Sequence, residues 1–157
     1  MLPSIDKNEE IVERLVAMYG DGGIWPTADQ WRRLINCEDA GRILVIHFFK
    51  FRDKAIYPDD PDCSLSGEEA AFGKYAEVAR KPIANLGVQK IIAMGGQTQW
   101  AIGDGEVWDY VCVMEYPNRR AFLSVFLDEA YSKSHKHRNA GAERHKTAIA
   151  NIIDLPV

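Results

Sequence analysis

The chain has 157 residues, 46% hydrophobic and 27% charged, with a net charge of −4. That is the size of one domain with an appendage, with enough apolar material for a core. The acidic balance gives the whole chain no attraction for polyanions, and no run approaches the roughly 18 apolar residues of a membrane span.

Cys37, Cys63 and Cys112 form no C-x-x-C pair and are odd in number. They predict free thiols in a reducing compartment. The opening MLPSIDKNEEIVERL carries charges where a signal peptide needs an apolar run. Both features predict a cytoplasmic protein. Residues 118–157 carry more Lys and Arg than Asp and Glu, which leaves room for a local anion site.

In chain order, residues 6–19 predict an amphipathic helix, with Asp6 and Glu9 at capping-box spacing and Gly20 at its end. Thr27 is an N-cap for a second short helix carrying Trp31 and Leu34. Residues 1–40 therefore read as a helical extension to a domain spanning 41–157. RILVIHFFKF, residues 42–51, predicts a strand with Ile43, Val45, His47, Phe49 and Phe51 on one face. Leu44, Ile46, Phe48 and Lys50 hold the other, so both faces are apolar.

The Pro- and Asp-rich stretch 52–66 reads as a loop. Ser66 caps a helix over 67–86, which Pro82 should kink or end early, and Gly87 turns the chain. VQKIIAM, residues 88–94, predicts a strand and GGQTQWAIGDGE a hairpin. VWDYVCVMEY, residues 107–116, predicts a third strand with Trp108, Tyr110, Cys112, Met114 and Tyr116 on one face. Asn118 caps the next helix, Asp128 begins another, and residues 146–154 predict the last strand.

The core order is thus β-α-β-β-α-(α)-β, an α+β ferredoxin-like βαββαβ unit. It predicts a four-stranded antiparallel sheet with helices on one face. One sheet face would be left open, yet the first strand is apolar on both faces and the third carries apolar residues on both, which predicts a homodimer packed sheet to sheet. The alternative is that the N-terminal extension covers that face.

HFFKFRDKAIYP, SGEEAAFGKY, WDYVCVMEYPNRRAFL and DEAYSKSHKHRNAG resemble the bacterial family called domain of unknown function 1330. PTADQ resembles its longer members, and the resemblance spans roughly residues 26–153. It implies the dimeric α/β barrel superfamily, whose members include cofactor-free oxygenases, isomerases and haem-degrading enzymes. It implies no single activity. Where the family is expected to have asparagine in the first strand, this chain has His47.

The histidines raise the question of a metal site. His135 and His137 fall about 200° apart on a helix, and His137 and His145 about 12 Å apart if the helix continues. Neither pair predicts a metal site. Counted from Ala130, the helix turns Ala130, Ser134, His137 and Gly141 inward, with Tyr131 and Arg138 at the edge. In a packing role His137 would bond a backbone carbonyl and Arg138 a carboxylate. In a pocket wall Arg138 would offer its donor fork to an anionic or carbonyl group.

His47, mid-strand among apolar neighbours, is either a satisfied core histidine or a proton carrier. Asp109 needs a cation and reads as an ion pair or a catalytic carboxylate. Tyr57, Tyr75 and Tyr116 read as core or pocket lining, and Trp108 shares the Tyr116 face. The third strand lacks the aromatic signature of RNA-recognition modules and carries two acids, so no nucleic-acid partner is expected.

The reading that follows is a small-molecule pocket between sheet and helices. His47, His137 and Asp109 are its candidate catalytic groups. Arg138, Tyr131, Tyr57, Trp108 and Tyr116 are its candidate ligand contacts. No metal or cofactor is called for. The chemistry would be acid–base, on a small carbonyl or aromatic compound. The alternatives are a binding or accessory protein using the same pocket, and a structural dimer without a ligand.

Overall fold

The structure, a computed structural model, describes residues 5–38 and 41–156, with side chains from residue 7 onward. The predicted cap at Asp6 therefore lies outside the described side chains. Helix α1 spans Ile5–Tyr19 and α2 spans Ala28–Asn36. Strand β1 is Ile43–Phe51. A helix opens at residue 67, passes through a π-helical stretch at Glu69–Lys74 and continues as α3, Tyr75–Leu86. Then follow β2 (Lys90–Gly96), β3 (Tyr110–Tyr116), α4 (Arg119–Leu127), α5 (Glu129–Ser132), α6 (His135–Gly141) and β4 (Ala142–Asn151).

The sheet order is β2-β3-β1-β4, and every pairing is antiparallel. With its crossovers this is the expected ferredoxin-like α+β arrangement. Among the described residues no helix is long and apolar enough to cross a membrane.

Local chemistry explains the element ends. Thr27 and Gln30 exchange side chain-to-backbone bonds at the start of α2, at 2.8 and 3.2 Å. Ser66 and Glu69 do the same where the residue-67 helix opens, at 2.7 and 3.1 Å. That helix does not stop at Pro82; α3 runs on to Leu86, where Gly87 at φ 62° closes it.

Three strands start two or more residues from the expected position. β2 begins two residues later, at Lys90. β3 begins at Tyr110, because the Phe51 N–H bonds the Asp109 carboxylate at 2.9 Å instead of a backbone carbonyl. β4 begins at Ala142, four residues early. The Gly141 carbonyl accepts from the Arg52 N–H at 2.8 Å, which takes the chain out of α6 and into the sheet.

The inner face of β1 carries Ile43, Val45, His47 and Phe49, all buried. Ile43 and Val45 join Tyr116, Phe122, Val125 and Phe126 in one cluster. Val12, Leu15, Tyr19, Trp25 and Trp31 belong to the same cluster, so the N-terminal helices sit in the helical layer. Each such side chain contributes about 1.5–3 kcal/mol through burial. Leu44, Ile46 and Phe48, with Val111 and Val113 paired beside them, stay half-buried on the outer face.

Candidate functional site

A cavity of about 570 Å³ lies between the inner sheet face and the helices. The facing helix turns three small residues to it, Ala71, Ala76 and Ala79. His47 and Phe49 of β1 and Cys112 and Tyr116 of β3 form its floor. Phe72 and Tyr75, with Tyr131 of α5 and Arg138 of α6, complete the wall.

The helical stripe is turned from the expected one. Tyr131, Ser134, Arg138 and Gly141 are buried, whereas Ala130 is exposed and His137 half-buried. The wheel assumed one continuous helix entered with Ala130 inward, but the helix breaks at Lys133–Ser134. Asp128 caps α5 through the Tyr131 N–H at 2.7 Å and sets the new phase.

Arg138 is 7% exposed, yet it has no ion pair and no side-chain hydrogen bond among the described residues. Its Nε is buried without a partner. The guanidinium lies 4.1 Å from the Tyr75 ring centroid, 5.1 Å from Trp25 and 5.3 Å from Phe49. Cation–π attraction offsets part of the desolvation, by about 2 kcal/mol per desolvated contact. The carboxylate that a packing role requires is missing from its described surroundings.

His47 belongs to a chain of bonds. Its Nδ1 lies 3.0 Å from Nε2 of His145, whose Nδ1 lies 3.1 Å from the Ile24 carbonyl. The Ile24 carbonyl can only accept, so His145 carries its proton on Nδ1 and offers a lone pair at Nε2. His47 Nδ1–H donates to that lone pair. The other tautomer would set two lone pairs against each other at 3.0 Å. The Thr147 hydroxyl braces both rings, at 3.1 and 3.0 Å.

His47 Nε2 is left unprotonated and has no hydrogen-bond partner among the described residues. Burial, then the Arg138 charge, push the His47 imidazole down to about 3. The same causes hold His145 well below its ordinary value. Both rings are neutral at pH 7. Burial also raises the Tyr75 phenol, which hydrogen-bonds the Tyr131 hydroxyl at 2.6 Å.

The structure thus brings His47, Arg138, Tyr131 and Tyr116 together around one cavity. His137, Tyr57 and Asp109 stand apart, and Trp108 borders a second, more open cleft that His47 and Arg138 also reach. His137 Nδ1 bonds the Tyr57 hydroxyl at 2.7 Å, on the side of α6 facing the 52–66 loop. Asp109 holds Lys50 at 3.0 Å and the Phe51 N–H at 2.9 Å. Partial burial works to raise its carboxyl, but these two partners keep it below the usual range. Trp108 is buried against Phe48, 5.9 Å between centroids, on the outer face. The strand alternation stops at Tyr110, so parity counted through Asp109 misassigned it.

Sequence reasoning missed His145, the Ile24 carbonyl and Trp25. A strand begun at Ala142 would have put His145 and Thr147 on one face.

No family model matches the chain, and no curated protein matches it. Two crystal structures of a Rhodopseudomonas palustris protein of unknown function, RPA0582, one of them methylated, resemble it with TM-scores of 0.74. Identities are 27% and 28%, over 85% of this chain and 96% and 99% of theirs. A Bacteroides fragilis protein of unknown function, described as dimeric and ferredoxin-like, gives a TM-score of 0.48 at 17% identity, over 71% of this chain and 96% of that one.

Proposed function

We propose that the cavity binds a small organic molecule bearing a carbonyl group or an aromatic ring and moves a proton on it, using side chains alone. His47 Nε2 takes the proton, and Arg138 stabilises the negative charge that develops. The observation that carries this reading is the His47–His145–Ile24 chain. It fixes one tautomer and leaves a lone pair of His47 without a protein partner. His137, Tyr57, Asp109 and Trp108 have structural parts in this reading.

The test is solvent exchange in D2O with small ketones and oxo acids, followed by NMR. The folded chain should accelerate loss of the proton beside the carbonyl. His47→Ala should lower that rate by about 10²-fold or more while circular dichroism is unchanged. Equal rates in the two proteins would remove His47 from the chemistry.

The low basicity of His47 favours a second reading, in which the cavity binds its ligand without converting it. A structural dimer without a ligand gives the unpaired Arg138 no role.

The proposal includes a homodimer formed through Leu44, Ile46 and Phe48, which the helical layer leaves half-buried on the outer face. Light scattering should give a dimer at micromolar concentration, and Ile46→Asp a folded monomer. A wild-type monomer would sink it. Three further readings belong with the proposal. These are membership of the domain of unknown function 1330 family, a helical extension over residues 1–40 before a domain at 41–157, and a cytoplasmic setting. The free state of Cys37, Cys63 and Cys112 supports the last.

A further inference from the structure

The cavity contains a charge with no described counter-charge. Arg138 is buried, its Nε has no partner, and no Asp or Glu lines the cavity. The other charged residue in the wall, Arg80, has the same sign. A developing oxyanion exists only while a reaction proceeds, so it cannot offset the charge in the resting complex. A ligand with a permanent negative charge can.

The rings narrow the kind of anion. Tyr75, Trp25 and Phe49 lie within cation–π distance of the guanidinium. Cation–π contacts use up none of its N–H donors, so two parallel N–H groups remain for a carboxylate. A doubly charged phosphate would need a second cation such as Arg80 beside Arg138, whereas one guanidinium matches one carboxylate, and the nearby hydroxyls already have partners. Tyr75 bonds Tyr131, and Gln89 bonds Tyr116, each at 2.6 Å. The remaining wall is largely apolar, and about 570 Å³ suits a compact body.

We infer that the ligand is a small monocarboxylate with an apolar or aromatic body, its carboxylate paired with the edge of Arg138. The inference rests on the cavity being the ligand site, as proposed above. It also answers the weak basicity of His47. A carboxylate on Arg138 cancels part of the field that opposes protonation of the imidazole. The substrate therefore strengthens the base that acts on it.

The test is calorimetric titration of the full chain at pH 7 with phenylacetate, phenylpyruvate and hexanoate. Phenylacetamide, phenylacetone and phenyl phosphate serve as matched probes. At least one carboxylate should bind, with phenylacetamide about tenfold or more weaker than phenylacetate. Arg138→Gln should reduce the acid-over-amide preference to about one, and Arg138→Lys should keep only part of it. The wild-type acid–amide comparison stands even if the variants fail to fold.

An amide that binds as well as its acid overturns the inference. So does a preference that survives in Arg138→Gln, or tighter binding of phenyl phosphate. Binding of phenylacetone without any acid overturns the carboxylate and leaves the proton-transfer reading standing. Binding of no probe overturns both.

Discussion

Gly141→Ala should cost this chain about 3 kcal/mol or more of stability, more than any substitution on its surface. A Cβ at Gly141 would meet the Gly67 carbonyl and the Ala71 side chain well inside contact distance, and the Ala71 nitrogen at 2.6 Å. None of these is the far end of a flexible side chain. Gly67 is equally confined, with the Arg52 nitrogen at 2.6 Å and the Gly141 carbonyl at 2.6 Å from its own added Cβ. The two glycines let α6 pack directly against the helix that opens at residue 67.

That approach also serves the site, since Arg138 lies one turn before Gly141. Urea unfolding should show a midpoint far below wild type. Gly73→Ala is the control, with nothing within 4 Å of its Cβ. Alanine there should be neutral or stabilise by up to about 1 kcal/mol. Equal midpoints for Gly141→Ala and wild type would contradict the close packing.

Acid lability is the second large effect. The His47 imidazole stands at about 3 in the folded chain and about 6.5 in an unfolded one. Below pH 6.5 the unfolded chain binds this proton and the folded chain does not, so stability falls as pH falls. The slope from His47 alone is about 1.4 kcal/mol per pH unit, on the order of 5 kcal/mol by pH 3. His145 is shifted the same way by burial and by Arg138, and steepens the loss.

Depressed carboxylates such as Asp109 act in the same sense, but below about pH 4. The window from pH 6.5 to 4.5 therefore reports the histidines. Half-buried His137, whose pKa is also lowered, adds a smaller part. Unfolding free energies measured across that window should fall steeply for wild type. They should fall more gently for a His47→Gln, His145→Gln double variant, by at least the one proton's worth of slope that His47 carries. An unchanged slope would mean that the two rings titrate normally in the folded chain.

What the sequence made legible was local. The apolar run 42–51 announced a central strand, and turn residues separated the elements in the right order. Their order alone yields the sheet topology. A period of two grouped His47 with Ile43, Val45 and Phe49, but with both faces apolar it did not say which one turns inward. The first error came from a phase taken without an anchor, since the residue that sets the Tyr131–Arg138 stripe is the Asp128 cap.

The second error was one boundary. Four residues of strand read as helix hid His145 from His47. The environment of Arg138 was not legible at all. Its ring partners Trp25, Phe49 and Tyr75 come from three separate parts of the chain. The carboxylate expected beside it is absent among the described residues, and only the folded arrangement could reveal that.

Proton exchange with a compound that demonstrably binds tests the role of His47 most directly. A carboxylate bearing a carbonyl, such as phenylpyruvate, is titrated into the chain in D2O, and the proton beside its carbonyl is followed by NMR. The predicted result is exchange faster than in buffer, saturating with the binding curve and lost in His47→Ala. Saturable binding with exchange no faster than in buffer would contradict it, and would make this cavity a place where the ligand is held and not changed.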